Sequence, residues 1–244
     1  MENPENTDGG NTIMITIKEL SLELNHRSIL NEINISLEKG LHYILGPNGA
    51  GKTSLFRCIT GLYSSYSGSI KIISEKTDIG YLPQKFTMIP GIKVYDVMNY
   101  FAGLKGIKKS YRKSCIKELL HLVNMDNYLE YRSNHLSGGM MRRVGIAIAL
   151  LGEPDIIILD EPTVGLDPEE RIQFIRVINE IAQDKLILTS THVVEEIKGQ
   201  CNSIIIMKEG RIGFHGGEAE LCHSVSGQVL SLEDGYLWAI KNCF

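Results

Sequence analysis

A chain of 244 residues with 43% hydrophobic content can build one large α/β domain, or one domain with a lobe. A formal net charge of -4 argues against a dedicated nucleic-acid surface, which shows as a strongly basic domain. The five cysteines (Cys58, Cys115, Cys201, Cys222, Cys243) are scattered and lack C-x-x-C spacing, so reduced thiols are expected rather than a disulfide or zinc framework.

Residues 1–11 are polar, carry no signal-peptide pattern and read as a disordered tail. Met14 to Ser36 alternates apolar and polar residues (Ile15, Ile17, Leu20; then Ile33, Ile35, Leu37), which predicts paired antiparallel strands. Leu41 to Leu45 is a short apolar strand running into a glycine-rich loop, and Lys52 to Ile59 reads as the helix after it. Ile70 to Ile73 and Ile79 to Leu82 are further strands. From Val94 to Asn134 the period becomes helical (Val94, Val97, Met98, Phe101; Ile116, Leu119, Leu120, Leu122, Val123), predicting an inserted helical lobe over about 85–150, with another helix after Gly139.

A buried strand (Ile156 to Leu159), a helix (Glu169 to Ala182), a strand (Leu186 to Thr189), a helix from His192 and a hairpin (Ser203 to Phe214, turning at Glu209-Gly210) complete the pattern. Alternating strands and helices imply a mostly parallel sheet. The longest apolar stretch, Val144 to Leu151, ends at Gly152-Glu153-Pro154-Asp155 and is too short for a bilayer, so a membrane role would come through a partner. Residues 218–244 show no pattern and read as a short tail.

Three segments carry phosphate chemistry. Gly46-Pro47-Asn48-Gly49-Ala50-Gly51-Lys52-Thr53 fits G-x-x-x-x-G-K-[ST] between strand and helix. Backbone N–H groups there, continuing to Ser54 in the helix start, surround phosphate oxygens; Lys52 reaches the β and γ phosphates and the Thr53 hydroxyl ligates Mg²⁺. The Ile156 to Leu159 strand delivers Asp160, for Mg²⁺, and Glu161, to polarise the attacking water. Leu136-Ser137-Gly138-Gly139 opens a helix and offers a second anion site. Taken singly, the last two would be an acidic loop and a serine cap. In this order they suit two copies arranged head to tail, each ATP held by the loop of one chain and the Ser-Gly-Gly of the other.

The chain from about Ile13 to Gly217 resembles an ATP-binding subunit of the ABC (ATP-binding cassette) superfamily, and 12–217 is read as that domain. The resemblance implies a P-loop NTPase core with a mostly parallel sheet, an antiparallel β subdomain and an inserted α-helical lobe. It implies that Gln84, in Tyr81-Leu82-Pro83-Gln84, senses Mg²⁺ and water and links core to lobe. Asp167, in Gly165-Leu166-Asp167-Pro168, communicates across the dimer; His192 contacts the γ-phosphate; Glu161 is the catalytic glutamate.

Two positions depart from the family. The signature continues with Met140 instead of glutamine, with Arg142-Arg143 following, as in exporters similar to the ABC-2, multidrug and bacteriocin-immunity groups. The usual adenine-stacking aromatic is replaced by Leu24, and nearby His26 reads as a solvated turn residue.

The reading is therefore an ATP- and Mg²⁺-using ATPase subunit of a membrane exporter, peripheral on the cytoplasmic face. It would drive a separate transmembrane permease and pair with a second ATPase subunit, identical or paralogous, without nucleic acid. The rivals are a soluble ABC ATPase, for instance of iron–sulfur assembly, and an ordinary P-loop kinase or GTPase, which would leave Leu136 to Gly139 and His192 unexplained. The apolar residues after Gln84, notably Phe86 and Met88, are expected to offer the permease a docking surface.

Overall fold

The computed structural model describes residues 12–76, 78–199, 201–223 and 230–244; the tail expected over 1–11 lies outside the described residues. β1 (Met14–Leu24) and β2 (Arg27–Glu38) form the expected antiparallel pair, joined at Asn25-His26, both left-handed with φ of 51° and 59°. β3 (Gly40–Leu45) leads into α1 (Lys52–Ile59), and β4 (Ser67–Ile73) returns to the free edge of β1. β5 (Ile79–Leu82) then precedes the lobe: α2 (Val94–Leu104), α3 (Lys109–Leu122) and α4 (Gly138–Ala149). β6 (Ile156–Asp160), α5 (Pro168–Ile181), β7 (Leu186–Thr191), β8 (Ser203–Lys208) and β9 (Arg211–Gly216) follow.

The strands make a three-stranded sheet, β2-β1-β4, and a six-stranded sheet, β5-β6-β7-β3-β8-β9, in which only the β8–β9 pair is antiparallel. Because side chains alternate across a strand, the inner strands divide their residues between two cores. Ile44, Ile156, Ile158, Leu188 and Ile205 face the antiparallel sheet and α1. Leu45, Ile157, Leu159, Ile187 and Ile206 face the lobe and α5. The lobe packs by helical spacing: Val94, Met98 and Ala102 along α2 and Ile116 and Leu120 along α3 are buried.

Three expectations change. The helix expected from His192 is a single 3-10 turn, Val194–Glu196. The patternless segment after 217 contains α6 (Glu218–His223) and α7 (Leu232–Asn242), whose Leu221, Leu232 and Ala239 join the lobe-facing core. Burying Leu221 and Leu232 stabilises by roughly 1.5–3 kcal/mol each, which is enough to hold a short helix in place. Met88 is 7% exposed in that same core and Phe86 packs against it, so the exposed surface expected from these two is not there; the neighbouring Ile89 is 68% exposed.

The β8–β9 turn at Glu209-Gly210 is docked rather than free. The Gly210 N–H donates to the Ala50 carbonyl at 3.0 Å, and its own carbonyl accepts from Asn31 N–H at 2.8 Å. A Cβ at Gly210 would lie 2.3 Å from the Ile29 carbonyl oxygen.

Candidate functional site

The glycine loop starts where β3 ends. Gly46 admits no side chain, since a Cβ would come 2.2 Å from the Met207 carbonyl oxygen. Gly51, the residue before α1, has φ of 103°, a conformation open chiefly to glycine. The turn throws Lys52 back over the loop, where its Nζ donates to the Gly46 and Pro47 carbonyls at 2.6 and 3.1 Å. Burial lowers the Lys52 pKa, and the nearby carboxylates of Glu161 and Asp160 oppose that shift.

The end of β6 meets this loop directly. The Thr53 hydroxyl donates to Asp160 Oδ2 at 2.7 Å, and the Ser190 hydroxyl, from neighbouring β7, donates to Asp160 Oδ1 at 2.7 Å. The same Ser190 oxygen accepts the Glu161 N–H at 2.9 Å. Glu161 itself is left-handed (φ 47°), the residue at which the chain turns off the end of β6. Gln84 Nε2 donates to Glu161 Oε2 at 3.1 Å, and His192 Nδ1 lies 3.9 Å from that oxygen.

Lys52, Thr53, Gln84, Glu161 and His192 share one open cleft of about 480 Å³, lined also by the rest of Asn48 to Ser54, Ile29 and Val164; Gly46, Pro47, Asp160 and Ser190 stand behind its lining. The aliphatic Ile29 was not foreseen as a lining residue. Leu24 is half-buried at the end of β1, and His26 is a solvated turn residue as expected.

Ser137, Gly138, Gly139 and Asp167 do not line this cleft. Ser137 caps α4, its Oγ accepting the Met140 N–H at 3.1 Å, and both Ser137 and Gly138 are exposed. Gly139 is buried against the next element: a Cβ would meet Glu170 Oε2 at 2.7 Å and Leu166 Cδ2 at 3.0 Å. Asp167 caps α5 through the Glu170 N–H at 2.8 Å, within a capping box. The Arg143 guanidinium reaches Glu170 at 3.4 Å, joining the two helix starts.

Two buried groups had no role assigned from sequence. Glu196 accepts from the Thr191 hydroxyl at 2.7 Å and lies 3.4 Å from Arg171 Nε, tying the His192 loop to α5. Arg142, on α4, is 7% exposed and donates to the carbonyls of Pro83, Gln84, Asp160, Glu161 and Pro162. Its pKa is lowered by burial, opposed by Asp160 and Glu161. The basic pair after the signature was the only sequence trace of it.

Residues 30–164 match the family described as ABC transporter. The chain belongs to the ABC transporter family. An uncharacterized ABC transporter ATP-binding protein of Bacillus subtilis, YxlF, is 33% identical over 224 residues, covering 90% of this chain and 76% of that protein. A probable multidrug ABC transporter ATP-binding protein of Escherichia coli, YbhF, is 34% identical over 195 residues, 76% of this chain but 34% of that longer protein. A solved ATP-binding subunit of an ABC transporter superposes with a TM-score of 0.83 at 24% identity, covering 93% of this chain and 99% of that one, which shows the fold.

The cassette is accordingly an ATPase, converting ATP and water to ADP and phosphate, and an ATP-binding subunit of an ABC transporter. Membership of this family disfavours the iron–sulfur assembly ATPase and the kinase or GTPase. Among the described residues no helix is long and apolar enough to cross a membrane.

Proposed function

We propose that the cassette works as a head-to-tail dimer on the cytoplasmic face of a membrane, where each ATP is held by the Gly46–Thr53 loop of one chain and the Ser137-Gly138-Gly139 helix start of the other, driving a separate permease in export. One observation carries the reading: Lys52, Gln84, Glu161 and His192 share a cleft, while the exposed Ser137 lies outside it with its helix N-terminus available to a second anion. The partner cassette is a second copy or a paralogue.

In this reading Lys52 and the loop amides hold the β and γ phosphates. Glu161 takes the proton from a water whose oxygen attacks the γ-phosphorus; the bond to the β–γ bridging oxygen breaks and its electron pair leaves with ADP. Gln84 orients the carboxylate and the water, and His192 meets the γ-phosphate. The Thr53 hydroxyl and Asp160 carboxylate, 2.7 Å apart, form a hard-oxygen pair suited to Mg²⁺, with Gln84 nearby. Mg²⁺ would neutralise charge on the phosphates. Asp167, at the start of α5, faces the partner cassette.

The permease meets the lobe through exposed apolar side chains: Ile89 before α2, and Tyr100 and Leu104 on it. Export is supported by the Met140-bearing signature.

The test is assembly. A Glu161→Gln chain should bind ATP, lose most turnover, dimerise with ATP and dissociate with ADP, as read by size-exclusion chromatography with light scattering. Adding Ser137→Arg should abolish the dimer and leave nucleotide binding by the monomer. A monomer under both nucleotides would reject the head-to-tail arrangement.

A further inference from the structure

Arg142 is placed unusually for a cation. A buried charge is costly unless paired, and a buried arginine is ordinarily met by a carboxylate or phosphate. Here the planar fork is satisfied by main-chain oxygens alone: NH1 donates to Pro83 at 3.1 Å and Gln84 at 2.7 Å, Nε donates to Pro162 at 3.2 Å, and NH2 donates to Asp160 and Glu161. One side chain therefore fixes the backbone on both sides of the Gln84–Glu161 hydrogen bond. Lysine, with donors on a single nitrogen, cannot span these acceptors.

The helix that carries Arg142 begins at Ser137. Arg142 stands five positions after Ser137, roughly 7.5 Å along the axis, a distance over which a helix moves as a rigid rod. One end of α4 thus faces the second nucleotide of the proposed dimer, while its middle grips the catalytic backbone of its own chain. The packing is tight enough to transmit a shift: at Gly145, on the same helix, a Cβ would lie 2.7 Å from Leu82 and 2.8 Å from Phe86.

We infer that Arg142 is a positioning residue that couples the two ATP sites, holding Gln84 and Glu161 of one site where α4 places them according to whether Ser137 has met ATP in the other. The inference rests on the head-to-tail reading above. Arg142 touches no substrate; it acts through the main chain of the residues that do.

The test is a double-mutant cycle across mixed dimers. One chain supplies the catalytic groups of the site being measured and carries either Arg142 or Arg142→Lys. Its partner carries either Lys52 or Lys52→Ala, which empties the opposite site. With Arg142 present, emptying the opposite site should lower kcat at the measured site about tenfold with little change in KM, in the usual range for coupled sites. With Arg142→Lys, kcat should already be low, and emptying the opposite site should change it less than about twofold. Independent, multiplying factors would overturn the inference, since a merely structural arginine gives those.

Should Arg142→Lys melt early, the cycle is run with Arg142→Gln. Hydrogen exchange on chains with native Arg142 gives an independent reading: the amides of 84, 161 and 163 should gain protection when only the opposite site holds ATP, and unchanged exchange would reject the coupling. Failure of the underlying arrangement looks different. In that case Ser137→Arg in the partner leaves kcat at the measured site untouched, whatever stands at position 142.

Discussion

Ser190 holds Asp160 in place from the neighbouring strand: its hydroxyl lies 2.7 Å from Asp160 Oδ1 and simultaneously receives the N–H of Glu161 at 2.9 Å. Both strands are fully buried there, so no water can substitute. Ser190→Ala should leave a carboxylate oxygen and an amide unpaired, lowering stability by roughly 1–3 kcal/mol. It should also lower kcat more than it raises KM for ATP, because in the proposed mechanism the residues it positions act on the reacting end of the nucleotide. Thermal melts and steady-state phosphate release measure both, and an unchanged kcat would remove Ser190 from the site.

Lys52→Ala removes the charge that, in the proposed reading, meets the phosphates. ATP affinity should fall at least about tenfold, equivalent to about 1.4 kcal/mol, in a titration followed by calorimetry. The Gly46 and Pro47 carbonyls also lose their donor, so a lower melting temperature should accompany it.

Ile89 and Met88 are neighbours with opposite surroundings, 68% and 7% exposed. Ile89→Glu should keep the melting temperature and the ATPase activity of the isolated chain, yet lose retention on membranes carrying the permease. Met88→Lys places an ammonium in the lobe-facing core and should cost several kcal/mol of stability. Equal melting of the two variants would contradict the burial difference.

Acid should weaken the fold through His42. Its Nε2–H donates to the Glu38 carbonyl at 2.7 Å, which leaves Nδ1 to accept the Ser203 hydroxyl at 2.8 Å. Burial, and to a lesser degree repulsion from His215, lowers its pKa below 6.5, against the pull of Glu38. A depressed folded-state pKa means that the unfolded chain takes up the proton first. The stability from neutral His42 is complete above the unfolded pKa and falls as the pH drops through about 6.5, by up to about 1.4 kcal/mol per unit. His215, also depressed chiefly by burial, adds the same sign. Denaturation midpoints at pH 7.5 and 5.5 should therefore differ less for His42→Gln than for the parent chain.

Much of this was legible in the chain because its signals are short and sharply bounded. β5 and α1 have the predicted limits, Ile79–Leu82 and Lys52–Ile59, each set off by a glycine or a polar run. What failed depended on tertiary context. α6 is only six residues long, and α7 carries a glycine in its interior, Gly235, whose missing Cβ lets the helix approach the Leu221 carbonyl, which a Cβ would meet at 2.9 Å. The segment after His192 looks helical, but the Thr191 hydroxyl captures the Val193 N–H at 3.0 Å and the chain tightens into one 3-10 turn. Arg142 was invisible because its partners are carbonyls, which every residue type supplies.

The docked turn at Glu209-Gly210 restricts where this protein can be lengthened or labelled. Hairpin tips are ordinarily the places where chains tolerate inserted tags and fused domains. Here the tip is a floor tile beneath the phosphate loop, bolted to Ala50 on one side and Asn31 on the other. An epitope inserted at 209–210 would loosen nucleotide capture from behind.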